Sequence, residues 1–204
     1  MHASQALASR ELRIYQVPIP SSDENKRALR RHCRSLTVSD PVADSHIIVQ
    51  KTAHLLEQHP EWQCIAIYYP LPGEPDLQHL AALFPHRTFV YPRIHGDDMS
   101  FHHITRPSAQ LTLNRWNLHE PLPHLPVTDI SDIDLMLCPG MAFTAQGHRL
   151  GKGKGYYDRY LARATQKKPY CIGVTYAIFL LDHIPCDEHD VMMDRIITDA
   201  GVSP

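Results

Sequence analysis

The sequence has no apolar run that could cross a membrane, because no stretch approaches roughly 18 consecutive apolar residues. It also has no Cys-x-x-Cys pair, since its five cysteines are scattered, and residues 1–20 lack the apolar middle of a secretory signal peptide. A large charge of one sign is missing as well, and the net charge of −2 gives no general attraction to nucleic acid or to an acidic membrane. These absences predict a cytoplasmic protein with reduced thiols that binds neither nucleic acid nor membranes.

The length and the hydrophobic content indicate a single folded unit. A chain of 204 residues with 43% hydrophobic residues has enough apolar material for one real core. We expect residues 1–24 to be a flexible N-terminal extension, residues 25–204 to form one domain, and the protein to be a monomer.

Short apolar runs alternate with helical patterns along the chain. Ser39-Asp40-Pro41 is a helix start, and apolar residues keep helical spacing from there to Gln58. Pro92 is expected to end the second predicted strand. The predicted strands cover residues 64–69, 88–91, 134–138 and 170–174, and further helices are predicted over residues 77–84 and 156–164. This alternation predicts an α/β fold with a mainly parallel sheet.

The most informative stretch runs from Arg149 to Asp158, where three glycines alternate with two lysines before a predicted helix. Glycines let the backbone approach a ligand closely, and backbone N–H groups at a helix start favour an anion. The stretch is neither a P-loop nor a dinucleotide-binding fingerprint. It predicts a phosphate site, with a flexible basic surface turn as the alternative. Beside a polyphosphate, Asp158 would hold Mg²⁺.

Three other features carry a functional and a structural interpretation side by side. Lys26, Arg30 and Arg34 share one helix face, which is typical of a solvated surface or of an anion site. Glu74 lies in a Pro/Gly-rich loop after a predicted strand, where acids serve either solubility or binding. Trp116 lies in an irregular segment, as a loop anchor or as a platform for a flat ring.

The stretch Arg149–Asp158 resembles the signature of the 5-formyltetrahydrofolate cyclo-ligase family, which reads Arg-Leu-Gly-(Arg or Lys)-Gly-(Gly or Lys)-Gly-Tyr-Tyr-Asp. Similar segments recur at Pro92-Arg93, Glu120-Pro121, Pro139-Gly140 and His189-Asp190, so the resemblance covers roughly residues 25–200. It implies a three-layer α/β/α fold with a mainly parallel sheet, like that of glucosamine-6-phosphate and ribose-5-phosphate isomerases.

The resemblance also implies a role for each matching residue. Lys152 and Lys154 would be catalytic, and Asp158 and Asp194 would hold Mg²⁺. The implied ATP-binding residues are Lys26, Arg30, Arg149, Leu150, Gly151, Lys152, Gly153, Lys154, Gly155, Tyr156 and Tyr157. The implied substrate-binding residues are Tyr69, Glu74, Trp116, Lys152, Gly153, Lys154, Gly155 and Tyr156. Lys152 stands where the family often has arginine, so a bidentate contact is replaced by a point charge.

The implied activity is ATP-dependent cyclisation of 5-formyltetrahydrofolate to 5,10-methenyltetrahydrofolate. In it, ATP phosphorylates the formyl oxygen, Mg²⁺ is the cofactor, and ADP and phosphate are released. Two other interpretations stay open. One is a sugar-phosphate isomerase-like or phosphate-binding protein of the same fold that does not use ATP. The other is an RNA-binding module built on the basic segments 26–34 and 149–168, which the negative net charge disfavours.

Overall fold

The structure is a computed structural model that describes residues 23–114 and 118–203. The predicted extension therefore lies almost wholly outside the described residues, as does Trp116. The helices are α1 (Asp23–Ser35), α2 (Pro41–Gln58), α3 (His79–Leu83), α4 (Pro107–Gln110) and α5 (Tyr156–Leu161). The strands are β1 (Cys64–Ala66), β2 (Thr88–His95), β3 (Asp98–His103), β4 (Leu111–Leu113), β5 (His119–Pro121), β6 (Val127–Thr128), β7 (Leu135–Pro139), β8 (Ala142–Phe143), β9 (Arg149–Leu150), β10 (Tyr170–Val174) and β11 (Arg195–Ile197).

Seven strands form one large sheet in the order β11-β10-β7-β1-β2-β3-β6. The five strands from β11 to β2 are parallel, and β3 and β6 are added antiparallel at one edge. Two small antiparallel pairs, β4 with β5 and β8 with β9, lie outside this sheet. The prediction of an α/β fold with a mainly parallel sheet is confirmed.

Alternate residues of the central strands enter two separate cores. Ile65 of β1 and Leu135 of β7 pack in one cluster with Leu29 of α1 and Leu56 of α2. Their neighbours in sequence, which include Ala66 and Met136, pack on the opposite face with Tyr160 and Leu161 of α5. Helices therefore cover both faces of the sheet, and the strands between them are buried, as parallel sheets require.

Helix α2 has the bounds that its sequence predicts. A side-chain oxygen of Asp40 accepts a hydrogen bond of 3.0 Å from the backbone N–H of Ala43, and Pro41 is the first helical residue. The last residue of the helix is Gln58. The predicted helices over residues 77–84 and 156–164 are confirmed as shorter segments, α3 and α5. Among the described residues, no helix has the length and apolar character needed to cross a membrane.

Strand β2 continues through Pro92 to His95, so the prediction that Pro92 ends it is wrong. The reason lies in its neighbours. β1 is paired with β2 only as far as Val90, whose carbonyl also accepts from the N–H of Ile67. Beyond that point β3 is the only strand that pairs with β2 in the described part of the chain, with Pro92 opposite Phe101. A proline without an N–H is tolerated in a strand that has become an edge.

Candidate functional site

The glycine-rich stretch begins at the carboxyl end of the central strand β7. There the chain forms the small β8–β9 pair, in which Arg149 lies opposite Phe143. Gly151 to Gly155 follow at once and lead into α5. Gly155 has a φ of 65°, in the left-handed region where a side chain is unfavourable, and it forms the entry to α5. The fold therefore places these residues where α/β proteins commonly bind ligands.

A cavity of about 550 Å³ lies between α1, the glycine-rich stretch and the loop that precedes β11. This is within the usual size range of small-molecule sites. Its lining residues are Lys26, Arg27, Arg30, Arg149, Leu150, Gly151, Gly153, Gly155, Asp158, Asp187 and Asp190. Seven of these eleven were predicted from sequence to bind ATP, and Asp158 was predicted to bind metal.

Helix α1 is joined to the glycine-rich stretch and to the loop before β11 by two basic residues. Nε of Arg30 donates a hydrogen bond of 2.9 Å to the carbonyl of Gly151. Nζ of Lys26 lies 2.6 Å from Oδ2 of Asp187 and 2.5 Å from Oδ2 of Asp190. Burial lowers the pKa of Lys26, but the hydrogen bonds to the two carboxylates outweigh it and the pKa is raised. Lys26 is therefore a firmly charged ammonium group in the cavity wall.

Asp190 is an ionised carboxylate because its hydrogen bonds favour the charged form. Burial raises its pKa, but the hydrogen bond from Lys26 and the backbone N–H of Asp187, which donates to its Oδ2 at 2.8 Å, bring the pKa below its ordinary value. Sequence reasoning assigned no role to Asp187 or Asp190. The residues lie in a loop without periodicity, and only the match of His189-Asp190 to the family pointed to this segment.

Arg149 and Asp158 form a second ion pair in the cavity wall. Nη2 of Arg149 lies 2.7 Å from Oδ1 of Asp158, and only 6% of the Arg149 side chain is exposed. Burial lowers the pKa of Arg149, but the charge of Asp158 outweighs it and the pKa is raised. The guanidinium also lies over the ring of Tyr157, 5.4 Å from its centroid. This pair fixes the first turn of α5 to the strand that precedes the glycines.

Lys152 connects the glycine-rich stretch to the loop after β1. Its Nζ lies 2.6 Å from Oε1 of Glu74, whose side chain is only 7% exposed. Oε2 of Glu74 accepts from the backbone N–H of Leu71 at 2.9 Å. Tyr69, in the same loop, is stacked on Tyr91 with centroids 4.9 Å apart. Two residues that the resemblance assigns to the substrate therefore lie at the carboxyl end of β1, and Glu74 contacts Lys152.

Four predicted residues have side chains elsewhere. The ring of Tyr157 packs against the core, with its centroid 6.5 Å from that of Phe101. Tyr156 donates from its hydroxyl to the carbonyl of Gly96 at 3.3 Å, away from the cavity lining. Lys154 is exposed and does not line the cavity. The structure does not bring Asp194 together with Asp158. Oδ2 of Asp194 instead accepts from the backbone N–H of Cys171 at 2.7 Å, at the amino-terminal start of the β10–β11 pair.

Comparisons with known proteins agree with this fold. A family model described as the 5-formyltetrahydrofolate cyclo-ligase family matches residues 9–199. The mouse 5-formyltetrahydrofolate cyclo-ligase is 29% identical over 195 residues, which cover 89% of this chain and 95% of the mouse protein.

Two solved structures are also similar. A 5,10-methenyltetrahydrofolate synthetase from Mycoplasma pneumoniae is 27% identical with a TM-score of 0.68, and the match covers 85% of this chain and 98% of that one. The Aquifex aeolicus 5,10-methenyltetrahydrofolate synthetase is also 27% identical, with a TM-score of 0.71, and the match covers 87% of this chain and 89% of that one. The likeness thus extends over most of both chains in each case.

Proposed function

This chain belongs to the 5-formyltetrahydrofolate cyclo-ligase family, and from that premise we propose how its cavity performs the family's reaction. The protein is a ligase, and the reaction is the ATP-dependent closure of 5-formyltetrahydrofolate to 5,10-methenyltetrahydrofolate. The observation that carries the proposal is the convergence of Lys26, Arg30 and the glycine-rich stretch on one cavity, although α1 and that stretch are far apart in sequence.

The phosphates of ATP bind in this cavity. Lys26 and Arg30 supply positive charge from α1, and the backbone of Gly151, Gly153 and Gly155 approaches the phosphate chain from the other side. Arg149 does not contribute a free charge, because its guanidinium is paired with Asp158. Its role is to hold the glycine-rich stretch and α5 in position. Lys152 and Lys154 lie next to these glycines and act on the transferring phosphoryl group.

The carboxylates of the cavity fit Mg²⁺ that arrives with the nucleotide. Among the described residues, no group of three or more His, Cys, Asp or Glu side chains is arranged to hold a metal ion by itself. Mg²⁺ commonly binds through one or two carboxylates with phosphate oxygens and water. Asp158 and Asp190 line the cavity and Asp194 does not, so those two would hold it. When bound, Mg²⁺ neutralises charge on the phosphates during transfer.

The folate binds beside the loop after β1. Tyr69 offers an aromatic face that is half-buried, and Glu74 offers a carboxylate that is fixed by Leu71 and Lys152. Trp116, which is outside the described residues, is the third proposed contact. Because Glu74 and Lys152 touch, the folate and the phosphates occupy adjacent sites, and the formyl oxygen lies near the terminal phosphate.

The chemistry needs positioning and charge stabilisation more than a protein nucleophile. The formyl oxygen attacks the terminal phosphorus, and ADP leaves. The neighbouring secondary amine of the folate then attacks the activated formyl carbon and gives up its proton, which ends on the released phosphate. The bond from that carbon to the phosphorylated oxygen breaks. Phosphate departs with the former formyl oxygen, and the methenyl bridge remains. Lys152 stabilises the negative charge that develops on the phosphoryl group as it passes from the leaving oxygen of ADP to the formyl oxygen.

Three further features belong to the same proposal. We infer a three-layer fold like that of glucosamine-6-phosphate and ribose-5-phosphate isomerases, an inference that the mainly parallel sheet with helices on both faces supports. We expect the protein to act as a monomer. It works in the cytoplasm, where its five cysteines stay reduced; all of them are free thiols in the structure.

A direct assay tests the activity. Purified protein is incubated with 5-formyltetrahydrofolate and MgATP, and the absorbance of the methenyl product is followed. Absorbance should rise only when both substrates are present, and ATP should raise the melting temperature of the protein. A product that forms equally without ATP, or no product together with no thermal shift, would remove the ligase assignment. The Asp158→Ala variant should show a much lower rate.

A further inference from the structure

The acids that line the cavity are paired with the cavity's own cations. Lys26 lies between Asp187 and Asp190, and Arg149 is paired with Asp158. When a polyphosphate enters, Lys26 is already paired with two carboxylates, which are negatively charged like the polyphosphate. To use Lys26 it must exchange places with at least one of them.

The two carboxylates on Lys26 differ in how firmly they are held. Asp190 is 27% exposed and accepts the backbone N–H of Asp187, so it is part of the structure of its own loop. The side chain of Asp187 is 60% exposed, and Lys26 is the only side chain that it is bonded to in the described part of the chain. Asp187 is thus the one that can move, because a carboxylate that is mostly in solvent loses little when its ion pair opens.

The exchange has different consequences for the two forms of ATP. Metal-free ATP carries its full negative charge, and it would displace Asp187 and then remain close to that carboxylate without compensation. The magnesium complex carries less negative charge, so its repulsion from a displaced carboxylate is weaker. Repulsion from Asp187 therefore falls mainly on the metal-free form.

We propose that Asp187 is a specificity-determining residue that makes this site discriminate against metal-free ATP in favour of its magnesium complex. This rests on the proposed function, since it takes the cavity to be the ATP site. Asp187 remains paired with the ammonium group of Lys26 until a nucleotide binds together with its own cation. It gives the site a preference for the form of ATP that can react.

The test is calorimetric titration of the Asp187→Asn variant with ATP, in EDTA and again in excess Mg²⁺. Asparagine keeps the size of the side chain and removes its charge. Affinity for metal-free ATP should rise about tenfold, as expected for removal of one nearby like charge, while affinity for the magnesium complex changes by less than about threefold. Unchanged melting temperature confirms that the variant is folded.

The matched control is Glu188→Gln, which removes the same charge from the next residue of the loop. Glu188 is 84% exposed and contacts His189, not Lys26. If Glu188→Gln gives the same gain as Asp187→Asn, or if Asp187→Asn alters both forms of ATP equally or neither of them, the proposal is overturned. These outcomes leave the ligase assignment standing. If the unaltered protein binds neither form and makes no methenyl product, the proposed function fails as well.

Discussion

Lys152 is the residue at which, in the proposed function, the folate side and the phosphate side of the site meet. It is not in the cavity lining, but its ammonium group lies 2.6 Å from the nearly buried carboxylate of Glu74. We expect Lys152→Ala to lower kcat roughly 10- to 100-fold at saturating ATP, because one preorganised charge at the transferring group is lost. Steady-state kinetics against Lys168→Ala, an exposed lysine away from the site, is the measurement. A kcat equal to that of the control would remove Lys152 from phosphoryl transfer.

Asp134 gives the fold a pH dependence that can be assigned to one carboxyl group. Its Oδ2 accepts the backbone N–H groups of Gln63 and Cys64, both at 2.9 Å, and its Oδ1 lies 2.6 Å from Nζ of Lys167. Burial raises the pKa of Asp134, but the hydrogen bond from Lys167 and those two N–H groups outweigh it, so the pKa is lowered in the native state. A carboxyl with a lowered native pKa stabilises the fold above its unfolded pKa, and this is lost as pH falls through the native pKa.

The corresponding variant is Asp134→Asn. At pH 6 it should reduce the free energy of unfolding by about 1.5 kcal/mol, since hydrogen bonds to a charged acceptor become bonds to a neutral one. The difference from the unaltered protein should shrink as pH falls below about 4, where the aspartate itself becomes protonated. Urea denaturation at pH 6 and pH 3 measures this. A difference that is the same at both values would mean that the charge of Asp134 does not stabilise the fold.

The turn between β8 and β9 is the element that delivers Arg149 to the site. At its corner, Gly147 has a φ of 97°, and its carbonyl accepts from the N–H of Met193 at 2.9 Å. A Cβ at Gly147 would lie 2.2 Å from the carbonyl oxygen of Met193, whereas a Cβ at Gly73, with a φ of 86°, would meet nothing within 4 Å. Substitution of Gly73 therefore tests backbone strain alone, whereas substitution of Gly147 tests backbone strain together with a steric clash.

We expect Gly73→Ala to cost about 1 kcal/mol of unfolding free energy, because a left-handed φ is unfavourable for any residue with a Cβ. Gly147→Ala should cost about 3 kcal/mol, because the backbone of the Met193 segment must also move. Chemical denaturation of both variants gives the comparison. Equal losses would show that the turn does not depend on its close approach to Met193.

An element could be predicted well when the residues that determine its bounds are adjacent in sequence. The cap of Asp40 and the proline after it define the start of α2, and both are adjacent in sequence, so its bounds were correct. The extension of β2 past Pro92 depends on how far β1 reaches beside it, which no local pattern contains. The early end of α5 at Leu161 likewise follows from tight turns at Arg163 and Ala164 that periodicity does not reveal.

At the scale of the whole molecule, the site joins segments from both ends of the chain. Lys26 of α1 contacts Asp187 and Asp190 near the C-terminus, and Arg30 contacts Gly151. Sequence reasoning identified the basic residues and the glycines, because a glycine and lysine run has a recognisable chemistry. It assigned no role to the two acids, whose importance comes only from the ammonium group that the fold brings to them.

The central claim is that the terminal phosphate of ATP is transferred to the formyl oxygen of the folate. The measurement that tests it most directly uses 5-formyltetrahydrofolate labelled with oxygen-18 in the formyl group, MgATP and the protein, with mass spectrometry of the released phosphate. Each phosphate that accompanies a methenyl product should carry one labelled oxygen. Unlabelled phosphate, with the label released as water, would contradict the claim.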